Sequence, residues 1–288
     1  QLRQAVVDWF ARRRGVPGLD PDAVLPTIGS KELVAWLPTL LGLGTGDRVG
    51  IPKIAYPTYD VGALMAGAEP VVVDGLAAFG PVTAASVPKL LWLNSPGNPT
   101  GKVLGIDHLR KVVEWARRHG VIVASDECYA ELDWRTPGDV VSAQTMTCAP
   151  SVLHPEISGG STDGLLAVYS LSKRSNLAGY RAGFVAGDPT LVAELLEVRK
   201  HAGMMVPTPV QRAMTVALGD DDHVYEQWLR YGLRRERLAA ALHSAGFALD
   251  ESCEAGLYLW VTRDEDCWDT IGWLAAHGIL AAPGSFYG

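Results

Sequence analysis

Apolar residues along this chain follow two rhythms. Leu109, Val112, Val113 and Trp115 recur three and four positions apart, predicting an amphipathic helix over 106–119, and Leu33, Val34, Trp36, Leu37 and Leu40 repeat that period after Ser30. Helices are predicted likewise over 189–201, 222–244 and 268–277, and at the very start of the chain. Short unbroken apolar runs predict strands at 48–51, 70–73, 89–94, 121–125, 165–169, 184–187, 256–261 and 279–282. Runs with no polar alternate position suit strands covered on both faces, so strands alternating with helices predict an α/β fold. Residues 15–26 and 75–81 read as Pro/Gly-rich and Gly/Ala-rich connectors. Residues 134–163 form a long irregular stretch whose use as a lid the sequence leaves open. Residues 204–209 read as a hinge dividing a large domain, 1–205, from a smaller one, 206–288.

With 288 residues, 48% of them hydrophobic, the chain can bury a core large enough for two lobes. No apolar run approaches the roughly 18 residues of a membrane span, and no signal peptide opens the chain, which predicts a soluble, cytoplasmic protein without a membrane partner. The formal charge of −7 comes with interspersed signs and no basic stripe, arguing against nucleic acid as a partner. Cys128, Cys148, Cys253 and Cys267 lie far apart, and the histidines form no ligand pair, so neither a metal site nor a disulfide framework is predicted. Both ends read as cut: Gln1 already stands in a helical pattern without a cap, and 283–288 reads as the middle of a loop.

Candidate chemistry concentrates at one strand end. Ser170, Leu171, Ser172, Lys173 and Arg174 follow the apolar run 165–169, placing Lys173 just past the carboxyl end of a buried strand, where open α/β sheets keep ligands. A lysine amine that has lost its proton through partial desolvation beside a second cation condenses with an aldehyde. Ser170, Ser172 and Arg181 offer two hydroxyls and a planar fork of N–H groups suited to a phosphate. An aldehyde partner beside a phosphate cup describes pyridoxal phosphate. Asp126, ending the run 121–125, is then either the carboxylate that pairs with a pyridinium nitrogen or a plain cap for the next element. Ser30, opening a helix, is an ordinary N-cap or an anion site, and the rings of Tyr56 and Tyr59 either lie on a cofactor or pack.

The stretch from Ser170 through Lys173 to Gly179-Tyr180-Arg181-Ala182-Gly183-Phe184 resembles the cofactor-lysine motif of fold-type I, class I/II pyridoxal-phosphate-dependent aminotransferases. Its wording is most similar to the bacterial N-succinyldiaminopimelate aminotransferases. Ser30-Lys31, Pro57-Thr58-Tyr59, Asn98-Pro99-Thr100-Gly101 and Asp126-Glu127-Cys128-Tyr129 resemble further motifs of the family, in the family's order. The resemblance implies a large domain with a mostly parallel seven-stranded sheet between helices, a smaller α+β C-terminal domain, and a homodimer. It implies that the amides of Ser30 and Lys31 take the cofactor phosphate together with Ser170, Ser172 and Arg181. Tyr59 would stack on the ring, with Tyr56 in reserve, and Asn98 and Tyr129 would bond the ring oxygen. Asp126 would hold the pyridine nitrogen and Lys173 the aldehyde, while Glu127 receives no role.

The implied activity is transamination between an amino acid and 2-oxoglutarate or glutamate, with N-succinyl-LL-2,6-diaminopimelate of lysine biosynthesis as the amino donor. Aspartate, aromatic or LL-diaminopimelate aminotransferases are the alternatives. Arg174 would either read a second carboxylate, such as a succinyl group, or serve as a structural cation. In the family, the arginine that grips the substrate carboxylate would follow Gly288 and a tyrosine reaching the partner's phosphate would precede Gln1. This length of chain is therefore expected to bind cofactor better than it turns over substrate.

Three other motifs fail. Ser170-x-x-Lys173 matches the acylating pair of penicillin-binding proteins, but neither Ser-Asp-Asn nor Lys-Thr-Gly occurs in the chain. The glycines at 42, 44 and 46 precede a predicted strand instead of following one, so they make no dinucleotide fingerprint. Gly97 and Gly101 are separated by three residues where a P-loop has four.

Overall fold

A computed structural model of the protein describes residues 1–75, 87–135 and 142–288. Helix α1 (Leu2–Arg14) leads into β1 (Val24–Ile28) and α2 (Gly29–Leu40), followed by β2 (Arg48–Pro52), α3 (Thr58–Met65) and β3 (Glu69–Val73). Then come β4 (Leu90–Asn94), α4 (Ile106–His119), β5 (Ile122–Asp126), the single turn α5 (Pro155–Ser158), β6 (Leu165–Ser170), the single turn α6 (Leu171–Arg174) and β7 (Ala182–Gly187). Beyond these lie α7 (Pro189–His201), α8 (Thr208–Gly219), α9 (Asp222–Ser244), the paired β8 (Ala248–Leu249) and β9 (Val261–Thr262), and α10 (Cys267–Ala276). No helix of the described residues is long and apolar enough to cross a membrane.

The main sheet has seven strands in the order β1-β7-β6-β5-β4-β2-β3. Strands β2 to β6 pair in parallel, while β7 runs antiparallel to both β6 and β1. Helices cover both faces, which explains the unbroken apolar runs. Leu91, Leu93, Val123, Leu165, Tyr169 and Phe184 pack with α1 and α4 on one side, and Leu90, Trp92, Ala124, Leu166 and Val185 pack with α2, α3 and α7 on the other. Trp9 fastens α1 to the sheet, its ring centroid 4.5 Å from that of Tyr169 and 5.8 Å from that of Phe184. Such aromatic pairs add about 0.5–1.5 kcal/mol each beyond their burial.

Four predicted features differ. β1 begins inside the stretch 15–26 expected as a connector, where Pro21 and Pro26 argue for a break; its order comes from pairing with β7, which local sequence does not show. Gly256 donates to the Leu132 carbonyl at 2.8 Å, in the turn region beyond β5, and of the predicted run 256–261 only its last residue, Val261, with Thr262 after it, forms a strand. Residues 279–282 carry no strand. α8 was hidden by Pro207 and Pro209, which begin the helix as its N-cap and first-turn residues. Its Met214 and Leu218 are buried in the core beside α1, so that core continues past 205. Residues 76–81 of the expected connector, and 136–141 of the long irregular stretch, lie outside the described residues.

Candidate active site

Strand register brings the predicted residues to one edge. Asn94 pairs with Asp126 and Asp126 with Val168, so β4, β5 and β6 end side by side. Ser170 lies opposite Gly183 and Ile28 opposite Ala182, so the reversed strand β7 starts at that same edge, with Arg181 just before it and Gly29-Ser30 just after β1. Parallel strands with a single inverted neighbour thus gather chain segments far apart in sequence.

Asp126 is 7% exposed, and burial raises its carboxyl above the ordinary range, against the hydrogen bonds of Cys128 and Tyr59 that pull it back. The Tyr59 hydroxyl donates to Oδ2 at 2.9 Å and the Cys128 amide to Oδ1 at 3.2 Å. Both donors are neutral, and among the described residues no cation forms an ion pair with this carboxylate. A buried carboxylate without a cation fits a ligand that brings a positive charge, as a pyridinium nitrogen does. Asn98 is fastened nearby, its amide donating to Asn94 Oδ1 at 2.7 Å while Asn94 Nδ2 reaches the Asp126 carbonyl at 3.1 Å. The Asn98 Oδ1 is buried with no partner, a second polar group left for a ligand.

Lys173 is half-buried, with its Nζ 5.7 Å from the centroid of the Tyr129 ring. Tyr129 is buried, and desolvation followed by contact with Tyr258 pushes its phenol up. Tyr258, which the sequence reading hid inside a predicted strand, arrives because 253–256 bond onto the ends of the sheet: Ala255 donates to the Gly101 carbonyl and Gly256 to Leu132. The two tyrosine rings meet edge to face, centroids 6.2 Å apart.

The phosphate end is shaped by close backbone approach. Gly29 has φ +72°, and a Cβ there would overlap the Arg181 guanidinium, with Cζ at 2.7 Å. A Cβ on Gly183 would meet the Ser30 amide nitrogen at 2.9 Å. The two glycines therefore let Arg181 lie against the first turn of α2, where helix amides have no intrahelical acceptor. Arg181 Nη1 donates to the Ala178 carbonyl at 2.9 Å, leaving the rest of its fork for an anion. Ser172 is half-buried, whereas Ser170 is buried and caps α6, accepting from the Ser172 amide at 3.1 Å and donating to the Ser172 hydroxyl at 2.7 Å. Exposed Lys31 holds its Nζ 5.5 Å from the Tyr56 ring.

The geometry exchanges the two ring candidates. Tyr59 is 0% exposed, stacked on Trp92 at 5.0 Å and bonded to Asp126, so it has no open face for a cofactor; Tyr56 keeps a partly exposed ring at the edge. Tyr59 sits in the first turn of α3, with its ring turned into the core. Arg174 turns away from the site. Its Nε donates to Glu131 at 2.6 Å and its Nη1 to the Ala217 carbonyl at 2.6 Å, and it is 1% exposed, so it is a structural cation with nothing left for a substrate carboxylate. Glu127 likewise turns inward, accepting from Arg14 at 2.7 Å and from the Val152 amide at 2.8 Å.

The family profile "Aminotransferase class I and II" matches residues 1–288. A probable aminotransferase of Mycobacterium tuberculosis is 60% identical over 288 residues, and the chain spans 65% of its length. The 4-dedimethylamino-4-oxo-anhydrotetracycline transaminase of Streptomyces rimosus is 53% identical over all of this chain and 75% of its own length. The structure of N-succinyldiaminopimelate aminotransferase from M. tuberculosis superposes with a TM-score of 0.83 at 26% identity, over 100% of this chain and 75% of that one. Members of the matched family use pyridoxal phosphate, whose pyridine nitrogen, ring oxygen and phosphate suit the buried Asp126, the orphaned Asn98 oxygen and the Gly29–Arg181 cradle. Sequence, sheet topology and site chemistry agree, and the chain belongs to the class I and II aminotransferases.

Proposed function

We propose that this chain carries the cofactor-binding and proton-transfer machinery of a pyridoxal-phosphate-dependent aminotransferase. The observation that carries the reading is the pairing, on adjacent strand ends, of the cation-free buried carboxylate of Asp126 with half-buried Lys173. Asp126 would bind the pyridine nitrogen, Asn98 and Tyr129 the ring oxygen, and Ser30, Lys31, Ser172 and Arg181 the phosphate, with Ser170 holding Ser172 in place. Tyr56 would cover the ring. The bound cofactor supplies an electron sink for the substrate α-carbon. Lys173 Nζ would hold the cofactor aldehyde and, as a free amine, would carry the α-proton of the substrate, acting as base and then as acid.

N-succinyl-LL-2,6-diaminopimelate, with 2-oxoglutarate as the amino acceptor, is the substrate pair supported by the Ser170–Phe184 wording and by the fold match to an N-succinyldiaminopimelate aminotransferase. Burial of Arg174 removes the residue that would have read the succinyl carboxylate. A second reading, a bulky cyclic keto acceptor, is favoured by the 53% identity to the Streptomyces transaminase. The protein would work as a homodimer, as the family resemblance implies, in the cytoplasm, where members of the family typically work. The test is a half-reaction screen in which N-succinyl-diaminopimelate, LL-diaminopimelate, aspartate, aromatic amino acids and glutamate are added singly to the cofactor-loaded protein. Loss of the visible band with one of the diaminopimelates identifies the donor; a response to glutamate alone moves the specificity to the keto acceptor. A protein that takes up no coloured cofactor overturns the reading.

A further inference from the structure

We infer that Tyr59 is the positioning residue for Asp126, donating its hydroxyl proton to Oδ2 to aim the carboxylate at the pyridine nitrogen. The inference rests on the cofactor role proposed for Asp126 and goes beyond it. The hydroxyl–carboxylate distance is 2.9 Å, and both groups are buried. The Tyr59 ring cannot swing away, because it stacks on Trp92 with centroids 5.0 Å apart and planes 28° from parallel. Helix α3, which carries it, is wedged against α2, where a Cβ on Gly62 would meet the Val34 and Ala35 carbonyl oxygens at 2.9 Å. The donor is therefore fixed by the same helix, α2, whose first turn holds Ser30 and Lys31, so the pyridine end and the phosphate end share one rigid support.

A consequence in pH follows. Only ionised Asp126 attracts a pyridinium, so affinity for the ring falls as the pH drops through the titration of this carboxyl. Burial raises that titration, and the bonds from Cys128 and Tyr59 draw it back down. The titratable groups around it are Tyr59 on α3, Cys128 and Tyr129 on the turn after β5, and Lys173 on α6. Tyr59→Phe keeps the ring packing and deletes only the donor. Loss of a hydrogen bond to a charged acceptor is expected to weaken ring binding ~10- to 100-fold and to move the falling limb of the affinity profile up by about one pH unit.

The probe is 4′-deoxypyridoxine 5′-phosphate, which lacks the aldehyde and so reports ring and phosphate binding without the lysine. It is titrated into cofactor-free protein by tryptophan fluorescence across the acid-to-neutral range, with pyridoxal phosphate in parallel. The expected result is the weaker, shifted profile for Tyr59→Phe and no further change when Tyr59→Phe is added to Asp126→Asn. A purely structural tyrosine would lower affinity at every pH without moving the limb, and that outcome, like coincident curves for wild type and variant, overturns the inference alone. A wild-type protein that binds neither probe overturns the proposed function and the inference with it.

Discussion

Glu131 is the sharpest place to test the energetics of this fold. Its carboxylate is 1% exposed and is shared by Arg174 Nε at 2.6 Å, the Tyr169 hydroxyl at 2.8 Å and Arg13 Nε at 3.2 Å. Burial alone would push this carboxyl up, but Arg174 and then Arg13 overcome it and hold it down, from its ordinary 4.5 to about 2. Because the folded value lies below the unfolded one, the contribution to stability is full above the unfolded value and is lost as the pH falls towards the folded one. The size of the depression corresponds to roughly 3 kcal/mol at neutral pH. Glu131→Gln preserves shape and leaves two buried guanidiniums without their shared counter-charge, a change that costs about 3–5 kcal/mol in comparable buried pairs. The two figures agree, and with about 2.1 cal/mol/K of unfolding entropy per residue they predict a fall in Tm of about 5–8 °C. Urea unfolding of both proteins at pH 7, repeated in acid, checks this. The gap between wild type and variant should be widest at neutral pH and should close below the ordinary carboxyl range. An unchanged urea midpoint at pH 7, or a gap that persists in acid, refutes the account of the cluster.

Asp126→Asn should separate binding from stability. Its carboxyl is raised by burial, so its share of stability is present below the unfolded value and lost as the pH rises through the folded one; the amide removes that loss. The cofactor-free variant should melt at or above wild type at neutral pH while its affinity for pyridoxal phosphate drops at least ~10-fold, and a lower Tm with affinity intact would contradict the assignment. Gly29→Ala forces a left-handed residue and displaces Arg181, so equilibrium dialysis should show cofactor affinity reduced, together with a stability loss of about 1–2 kcal/mol. Lys173→Ala should keep the fold by circular dichroism, but after borohydride treatment its peptides should carry no cofactor mass, whereas wild type carries it on the peptide containing Lys173.

What the sequence revealed was governed by how local each signal is. Strands β4, β5, β6 and β7 were legible because both of their faces are buried, leaving runs such as Leu90–Asn94 and Leu165–Ser170 with almost no polar interruption. The residues following those runs were legible too, since a lysine, a carboxylate and an asparagine turn at strand ends are chemically conspicuous. β1 was not, because its partner lies more than 150 residues away, at 182–186. Tyr59 was misread for a related reason: the bond that decides its orientation spans 67 residues, and nothing in Pro57-Thr58-Tyr59 announces it. Arg174 shows the limit most plainly. Its neighbour Lys173 opens on the site, yet one step along the turn reverses direction, and Arg174 reaches Glu131 and Asp221 in the interior.

The reversed strand β7 has a thermodynamic consequence. Ser30 and Arg181 sit at the β1–β7 pair and Asp126 and Lys173 at the ends of β5 and β6, so a ligand touching these four and Asn98, which follows β4, spans five of the seven strands. No fragment with part of the sheet could hold such a ligand at partial strength, because the contacts exist only when every intervening strand is in register. Occupancy would thus act as a clasp on the whole β-layer, and saturating cofactor should raise the unfolding temperature of the sheet as one unit.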